Sequence, residues 1–475
     1  MENKKPYIIR IKRACAVVGF AVLVLLIVSV TYNVLKWKDT NGVYLSSVEM
    51  LKNTDDDLID VVFMGSSHAY HGLIPAYYWE DEGWSCFDMT ISGQDKGSTY
   101  YHLKNLLKSQ SPKVVCVDLY GMTFERHAVE GNVYRNYLSM PTSDLSVKLV
   151  KENMEKSEWK DFIVRFPIIH TRYKELEKYD FYSYEPNKYL RGERVGWEVS
   201  AVAEPECSDG PLCPSELSED KIKWLDDMFE LSKQEDFELI YVALPFDATA
   251  EDQGKIDAVA EYCSEKDIAF YDFNRLRKEA GFDYAGDFID GGHLNGYGAK
   301  KVEKYLRERL AEYNLTDHRG DGRFYQWDLD LEYVNRHRYQ NNMATVGDLS
   351  GLCSLIKGGE DYLTVISLEG DYEEQGMEFY EPLSILGMTY EEYEKGGKWI
   401  FEDDGLIRVY DNEMGKEPFY RELGDMNTLQ ISYSGDYVHP ENVMINDTSF
   451  YFTGVYLSIG IYDKNLGEIV TLRGF

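Results

Sequence analysis

The sequence has few cysteines, few basic residues for its acidity, and a single long apolar run. Seven cysteines in 475 residues are too few for a disulfide framework. Cys15 lies inside the apolar run. Cys207 and Cys213 flank Ser-Asp-Gly-Pro-Leu and could close a small loop, and the others read as single buried thiols. There is no Cys-x-x-Cys or His-x-x-x-His pattern, so no metal site is expected. Lys and Arg number 50 against 83 Asp and Glu, a formal net charge of -33. That balance argues against nucleic acid, whose phosphates need clustered cations. It also argues against a polybasic membrane surface outside the apolar run. Surface carboxylates that confer solubility account for most of it, and the ligands favoured are neutral or cationic.

Ala14 to Leu35 carries no charged residue. At ~1.5 Å per residue it is long enough to cross a bilayer. Lys4, Lys5, Arg10, Lys12 and Arg13 precede it, so the positive-inside rule predicts a cytoplasmic tail over 1–13 and an extracellular remainder. Tyr32 and Trp37 suit the far interface. A cleaved signal peptide is the alternative, but the run exceeds a usual h-region and lacks a clear small-x-small cleavage site. A single-pass membrane helix over 14–36 and a polar linker over 37–58 are the expectation, with localisation at the cell membrane.

From Ile59 the pattern alternates between short apolar runs and amphipathic stretches. Strands are predicted at Asp60–Met64, Trp84–Ile91, Lys113–Leu119, Phe237–Leu244 and Ile268–Asp272. Helices are predicted near Tyr100–Leu107, Glu219–Lys233, Ile256–Cys263 and Tyr297–Tyr313. This alternation implies a three-layer α/β/α domain on a parallel sheet over 59–315. The stretch 122–217 is too long for a plain connection and reads as an insertion or cap over the strand ends. Residues 316–344 are highly charged and read as a linker. The pattern then changes to strand-like segments at Asp361–Ser367, Gly405–Tyr410, Leu429–Tyr433 and Val455–Tyr462, separated by turn signals. A second, mainly β domain is expected over 345–475.

In a parallel sheet, ligands bind beyond the carboxyl ends of the strands. One apolar run ends there in Gly65-Ser66-Ser67-His68. Ser67 is placed to begin a helix, where its N–H can bind an oxyanion with help from the helix dipole. A hydroxyl needs a base to become a nucleophile. His293, in Asp290-Gly291-Gly292-His293-Leu294-Asn295, is the best base, and Asp290 can fix its tautomer. The competing reading makes Ser67 a helix N-cap and His293 a hydrogen-bonded loop residue. His68 and His71 stand close enough to Ser67 in sequence to touch substrate, but a packing or surface role is the simpler reading. Asp55-Asp56-Asp57 reads as a solvated run.

These blocks resemble those of the SGNH (GDSL-type) hydrolase superfamily. Gly65-Ser66-Ser67 has Ser where the family often has Asp, a variant similar to DltD-like proteins of teichoic acid D-alanylation. Gly93, in Ile91-Ser92-Gly93-Gln94, matches the second block, and Asp290-x-x-His293 the last. The resemblance implies an SGNH/flavodoxin-like sheet, Ser67, His293 and Asp290 as catalytic residues, and oxyanion-hole N–H groups from Ser67 and Gly93. It implies no metal and no organic cofactor. The usual Gly-x-Asn block is absent; Val117-Asp118-Leu119-Tyr120-Gly121 stands in its place. Within the insertion, Phe166-Pro-Ile-Ile-His170-Thr-Arg172 is similar to a Tyr-His-x-Arg-Trp stretch of SGNH-like membrane proteins in Gram-positive bacteria, which makes His170 and Arg172 possible substrate contacts.

The C-terminal Tyr456-Leu-Ser-Ile-Gly-Ile-Tyr-Asp463-Lys-Asn-Leu-Gly467-Glu-Ile-Val470 is similar to the end of ILEI-like domains. Carbohydrate-binding relatives of that fold make glycan binding an implication, and a spacer domain without ligand is the alternative. Together the resemblances imply a membrane-anchored serine esterase or O-acyltransferase. Its substrate would be an acyl ester of a cell-envelope glycan, and its partner, for transfer, a membrane acyl-transfer protein. The rival expectation is a non-catalytic glycan-binding or assembly protein with a degenerate site.

Overall fold

The computed structural model describes residues 5–36, 46–123, 130–176, 178–181, 195–205, 208–368, 376–403, 405–410, 419–424, 427–431, 443–445, 448–449 and 455–475. Trp37 and Cys207, and with Cys207 the Cys207–Cys213 pairing, lie outside the described residues. The chain divides into two compact units, Met1–Val334 and Asn335–Phe475.

Five short apolar runs build the sheet of the first unit: β1 (Val61–Gly65), β2 (Cys86–Thr90), β3 (Val114–Asp118), β4 (Glu238–Ala243) and β5 (Ala269–Asp272). All neighbours are parallel, in the order β2-β1-β3-β4-β5. The strands are apolar on both faces because both faces are covered. Val62, Met64, Phe87, Met89, Val115 and Val117 pack with Leu103, Leu106, Leu225, Met228 and Val259 of three helices. The alternate residues Val61, Phe63, Cys86, Val114, Cys116, Ile240 and Val242 pack with Ala69, Leu73, Val302 and Leu306. This is mixed α/β with helices on both sides of a parallel sheet. Local chemistry sets the helix starts: Asp95 accepts from Ser98 N, Thr249 and Asp252 form a capping box, and Asn295 accepts from Tyr297 N and Gly298 N.

The N-terminal helix is Lys5–Leu35, and the most apolar 18-residue stretch within Ile11–Leu35 has a mean hydropathy of 2.8. By length and composition it can cross a membrane. The insertion after β3 is helical in its first half, with helices Glu130–Leu138, Asp144–Asn153, Trp159–Val164 and Phe166–Ile169, and irregular over the described residues 195–205 and 208–217. It builds a small core of its own from Tyr137, Met140, Leu149, Val150 and Phe162, closed by Tyr101.

The linker expected over 316–344 is instead ordered structure. Phe324 and Trp327 are buried in the first unit's core, Trp327 Nε1 donates to Cys86 O at 2.8 Å, and His318 Nε2 lies 2.8 Å from Asp60 Oδ2. The helix Tyr325–Thr345 runs across the division between the units. Its high charge hides two core aromatics spaced three apart.

The second unit has a five-stranded antiparallel sheet, in the order Gly405–Tyr410, Gly397–Glu402, Tyr362–Leu368, Leu457–Asp463, Glu468–Gly474. On one face, Leu363, Val365, Ile400 and Tyr462 meet Leu429, Ile431, Val443 and Ile445 of a smaller sheet. The other face, through Ile366, Trp399, Ile459 and Ile461, is covered by helices carrying Leu352, Ile356, Phe379 and Leu383. The antiparallel region agrees with the strand-like patterning. The helical layer makes the unit less purely β than that patterning suggests.

Candidate active site

The strand order reverses direction at β1, so the clefts beyond the carboxyl ends of β1 and β3 are the place where such a sheet binds ligands. Gly65 ends β1 with φ 147. A Cβ there would stand 2.9 Å from Ala69 Cβ and 3.0 Å from Asp118 Cβ, so only glycine lets the chain turn this tightly. Ser66 then caps the helix Ser67–Gly72, its side chain accepting from His68 N. Ser66, not Ser67, is therefore the N-cap. Ser67 is the first helical residue, its N–H has no intrahelical acceptor, and its hydroxyl is left for other work.

His293 reaches Ser67 from the far end of the first unit's sequence. Phe288–Asp290 and His293–Leu294 form a minimal antiparallel hairpin with Asp290 opposite His293. That pairing explains the Asp-x-x-His spacing: two intervening residues turn the chain, and the carboxylate faces the ring. His293 Nδ1 lies 2.9 and 3.0 Å from the Asp290 oxygens, and His293 Nε2 lies 2.8 Å from Ser67 Oγ. Asn295 anchors the exit of the hairpin, donating to Gly286 O at 2.8 Å and to Glu198 O at 3.2 Å while capping the next helix. Burial alone would raise the Asp290 pKa. The Gly292 N–H and His293 outweigh it and hold the carboxyl below its ordinary value. The side chains of His293 and Asp290 are 27% and 57% exposed, so the group is open to a substrate.

Gly93, with φ 62, lies in the turn after β2. Asn136 Nδ2, on the first helix of the insertion, donates to Ser92 O and Gly93 O at 3.1 and 3.2 Å. Asn132, one turn earlier, lies over Gly93: its Nδ2 is 2.4 Å from where a Gly93 Cβ would stand. Arg135 Nη1 donates to Asn132 Oδ1 at 3.0 Å, which turns the amide N–H groups toward Gly93. Sequence reasoning misses Asn132, because it comes from a helix 39 residues downstream of Gly93 and carries no local signal of that approach.

Asp118 occupies the place of the missing Asn block, but it faces inward. Its carboxylate accepts from Leu244 N and Tyr120 N, both at 3.3 Å. Burial pushes its pKa up to about 7 against the lowering effect of those N–H groups. It joins β3 to β4 behind the Gly65 turn.

Of the other candidate contacts, one adjoins the site and two do not. His68, next to Ser67 in sequence and so a candidate for touching substrate, is only 3% exposed. Its ring stacks on Tyr120 at 3.4 Å and meets Phe246 edge-on at 5.5 Å. Burial, then the neighbouring His293 and His71, lower its pKa well below the ordinary value. Its ring centre also lies 5.2 Å from that of His293, so it packs against the site from below. His170 is exposed, with Nδ1 2.6 Å from Pro167 O and its ring beside Phe166. Arg172 is buried and directed to Leu35 O, Lys36 O and Asp180. These bonds lead away from the Ser67–His293–Asp290 group rather than into it. No group of His, Cys, Asp and Glu among the described residues has the arrangement of a metal site.

No protein-family model matches the chain, and a comparison with curated proteins finds no match. Among solved structures, the chain is similar in part to a candidate acylhydrolase of Bacteroides fragilis, at 11% identity and a TM-score of 0.29, over 58% of this chain and 99% of that one. At that level the likeness assigns no family, and the site stands on its own geometry.

Proposed function

We propose that this protein is a serine esterase or O-acyltransferase of the SGNH type, anchored in the cell membrane by its N-terminal helix and acting on acyl esters of envelope glycans. The observation that carries the reading is the continuous hydrogen-bonded path from Asp290 through His293 to Ser67 Oγ. Ser67 Oγ attacks the ester carbonyl while His293 Nε2 takes its proton. Asp290, held ionised, stabilises the imidazolium and keeps Nδ1–H pointed at itself. The N–H groups of Ser67 and Gly93 receive the developing oxyanion, and the Asn132 amide supplies the side-chain donor that the absent Gly-x-Asn block would have given. His293 returns the proton to the leaving alcohol, leaving an acyl ester on Ser67. Water, or the hydroxyl of an acceptor glycan, then attacks it with His293 again as base.

The exposed triad fits a large substrate, and the net charge of -33 disfavours polyanionic ones. The five lysines and arginines before the apolar run favour a cytoplasmic N-terminus and an extracellular site. The test is turnover of p-nitrophenyl acetate and of an O-acetylated glycan by the full chain, compared with Ser67→Ala. Loss of turnover and of fluorophosphonate labelling in the variant is expected. Equal activity in both proteins would overturn the catalytic assignment. Product analysis with and without a glycan acceptor separates transfer from hydrolysis.

A further inference from the structure

The insertion holds the end of the N-terminal helix. Arg172 Nη1 donates to Leu35 O at 3.0 Å and to Lys36 O at 2.7 Å, the last carbonyls of that helix, which have no intrahelical partner. Its Nη2 sits 3.2 Å from both oxygens of Asp180, which is 2% exposed. A guanidinium is well suited to this place, since the C-terminal end of a helix carries partial negative charge. Thr31, Tyr32 and Val34 are partly covered and Leu35 is buried, whereas most of the helix before them is bare. The contact is therefore confined to the last turn.

The depth of that turn follows from length. Ile11–Leu35 has 25 residues; at ~1.5 Å each it is somewhat longer than a hydrocarbon core of ~30 Å. Leu35 and Lys36 thus fall at the far interface, and whatever is hydrogen-bonded to them falls there too. The same short segment leaves large apolar side chains uncovered: Val164 is 57%, Phe166 40%, Tyr173 62% and Phe181 64% exposed. Lys174 Nζ lies 5.7 Å from the centre of the Tyr173 ring. Aromatic rings with a neighbouring lysine are what a bilayer interface accommodates, the ring in the acyl boundary and the ammonium among headgroups.

We infer that the described residues 164–176 and 178–181 form a membrane-seated foot: Arg172 locks it to the exit of the membrane helix, and Val164, Phe166, Tyr173 and Phe181 enter the outer lipid interface. The occupant of this apolar surface is lipid, because the surface is continuous with the end of the membrane helix. Another part of the insertion reaches the Gly93 turn through Asn136, so the foot also fixes the height of the candidate active site above the bilayer. The inference rests on the membrane-anchor part of the proposed function and not on the catalytic part.

The test uses the full chain in phosphatidylglycerol–phosphatidylethanolamine vesicles, with Cys15, Cys207 and Cys213 replaced by Ser. An environment-sensitive fluorophore is attached at Tyr173→Cys, Phe181→Cys or, as a control, the exposed Lys278→Cys. Shallow doxyl-labelled lipids are expected to quench the probes at 173 and 181 and to leave that at 278 bright. Vesicle flotation reads the anchor separately. A chain that floats but shows equal, weak quenching at all three sites overturns the foot while sparing the anchor. A chain that does not float overturns both. Arg172→Ala, checked for folding by near-ultraviolet circular dichroism, is expected to float as before and lose the quenching at 181, with Arg172→Lys between the two. Undiminished quenching in Arg172→Ala would remove the locking role from Arg172.

Discussion

Two aspartates near the strand ends of the first unit are tuned in opposite directions. Asp290 is half out in water, accepts from Gly292 N and His293, and is held below the usual carboxylate range. Asp118 is buried, accepts from two strand-end amides, and is pushed up to about 7 by loss of solvent. One carboxyl faces a ring that can become charged, so its own charge is useful. The other faces only backbone dipoles, so its charge is a liability that those dipoles partly offset. An acidic residue at the end of a strand is therefore not by itself a catalytic sign; the group it faces decides.

Substitutions at the two carboxyls and beside them put this difference to the test. The largest effect is expected from Asp290→Asn: by analogy with other triads, kcat for ester turnover should fall by about 10⁴-fold with the fold intact, read from kinetics alongside thermal denaturation. If Asp118→Asn produced a similar fall, the division of roles between the two aspartates would be wrong. Next in size is Asn132→Ala, expected to lower kcat by about 10²-fold, as loss of one oxyanion donor does, with KM little changed. A change in KM alone would make Asn132 a binding residue. The smallest effect is on stability. A carboxyl raised from its ordinary value to about 7 binds its proton more tightly in the folded state. Its contribution is greatest at low pH and is lost as pH rises from about 4 toward 7. Glu303, also raised to about 7, adds to the same slope. Asp118→Asn should therefore flatten, without abolishing, the decline of Tm across that window. An unchanged slope would show that Asp118 does not titrate there.

The features legible in the sequence are local ones. Five apolar runs correspond to five strands, with ends shifted by a residue or two, because a strand covered on both faces needs uninterrupted apolar side chains. Asp290 and His293 are legible as a pair because a single hairpin brings them together. The contacts of Asn132 and Arg172 are not. Asn132 matters through Gly93, and Arg172 through carbonyls 137 and 136 residues away; nothing in the neighbourhood of either residue signals those partners. For His68 the sequence offers both a substrate contact and a packing or surface role, because its position beside Ser67 is visible there, whereas the Tyr120 and Phe246 rings that bury it are not. The charged stretch before Val334 hides Phe324 and Trp327 because two core residues among many polar ones leave no clear period.

The bond between Ser67 and His293 joins residues 226 apart, and β3 must pair with β4 across the whole insertion. Closing loops of that size is entropically unfavourable until most of the sheet exists to reward it. During synthesis Ser67 emerges early, soon after the N-terminal apolar helix, while His293 is still unmade or undocked. A partly folded chain therefore displays the serine without His293 and Asp290 beside it. If Ser67 is the nucleophile proposed above, its labelling by a fluorophosphonate is a measure of complete folding of this unit.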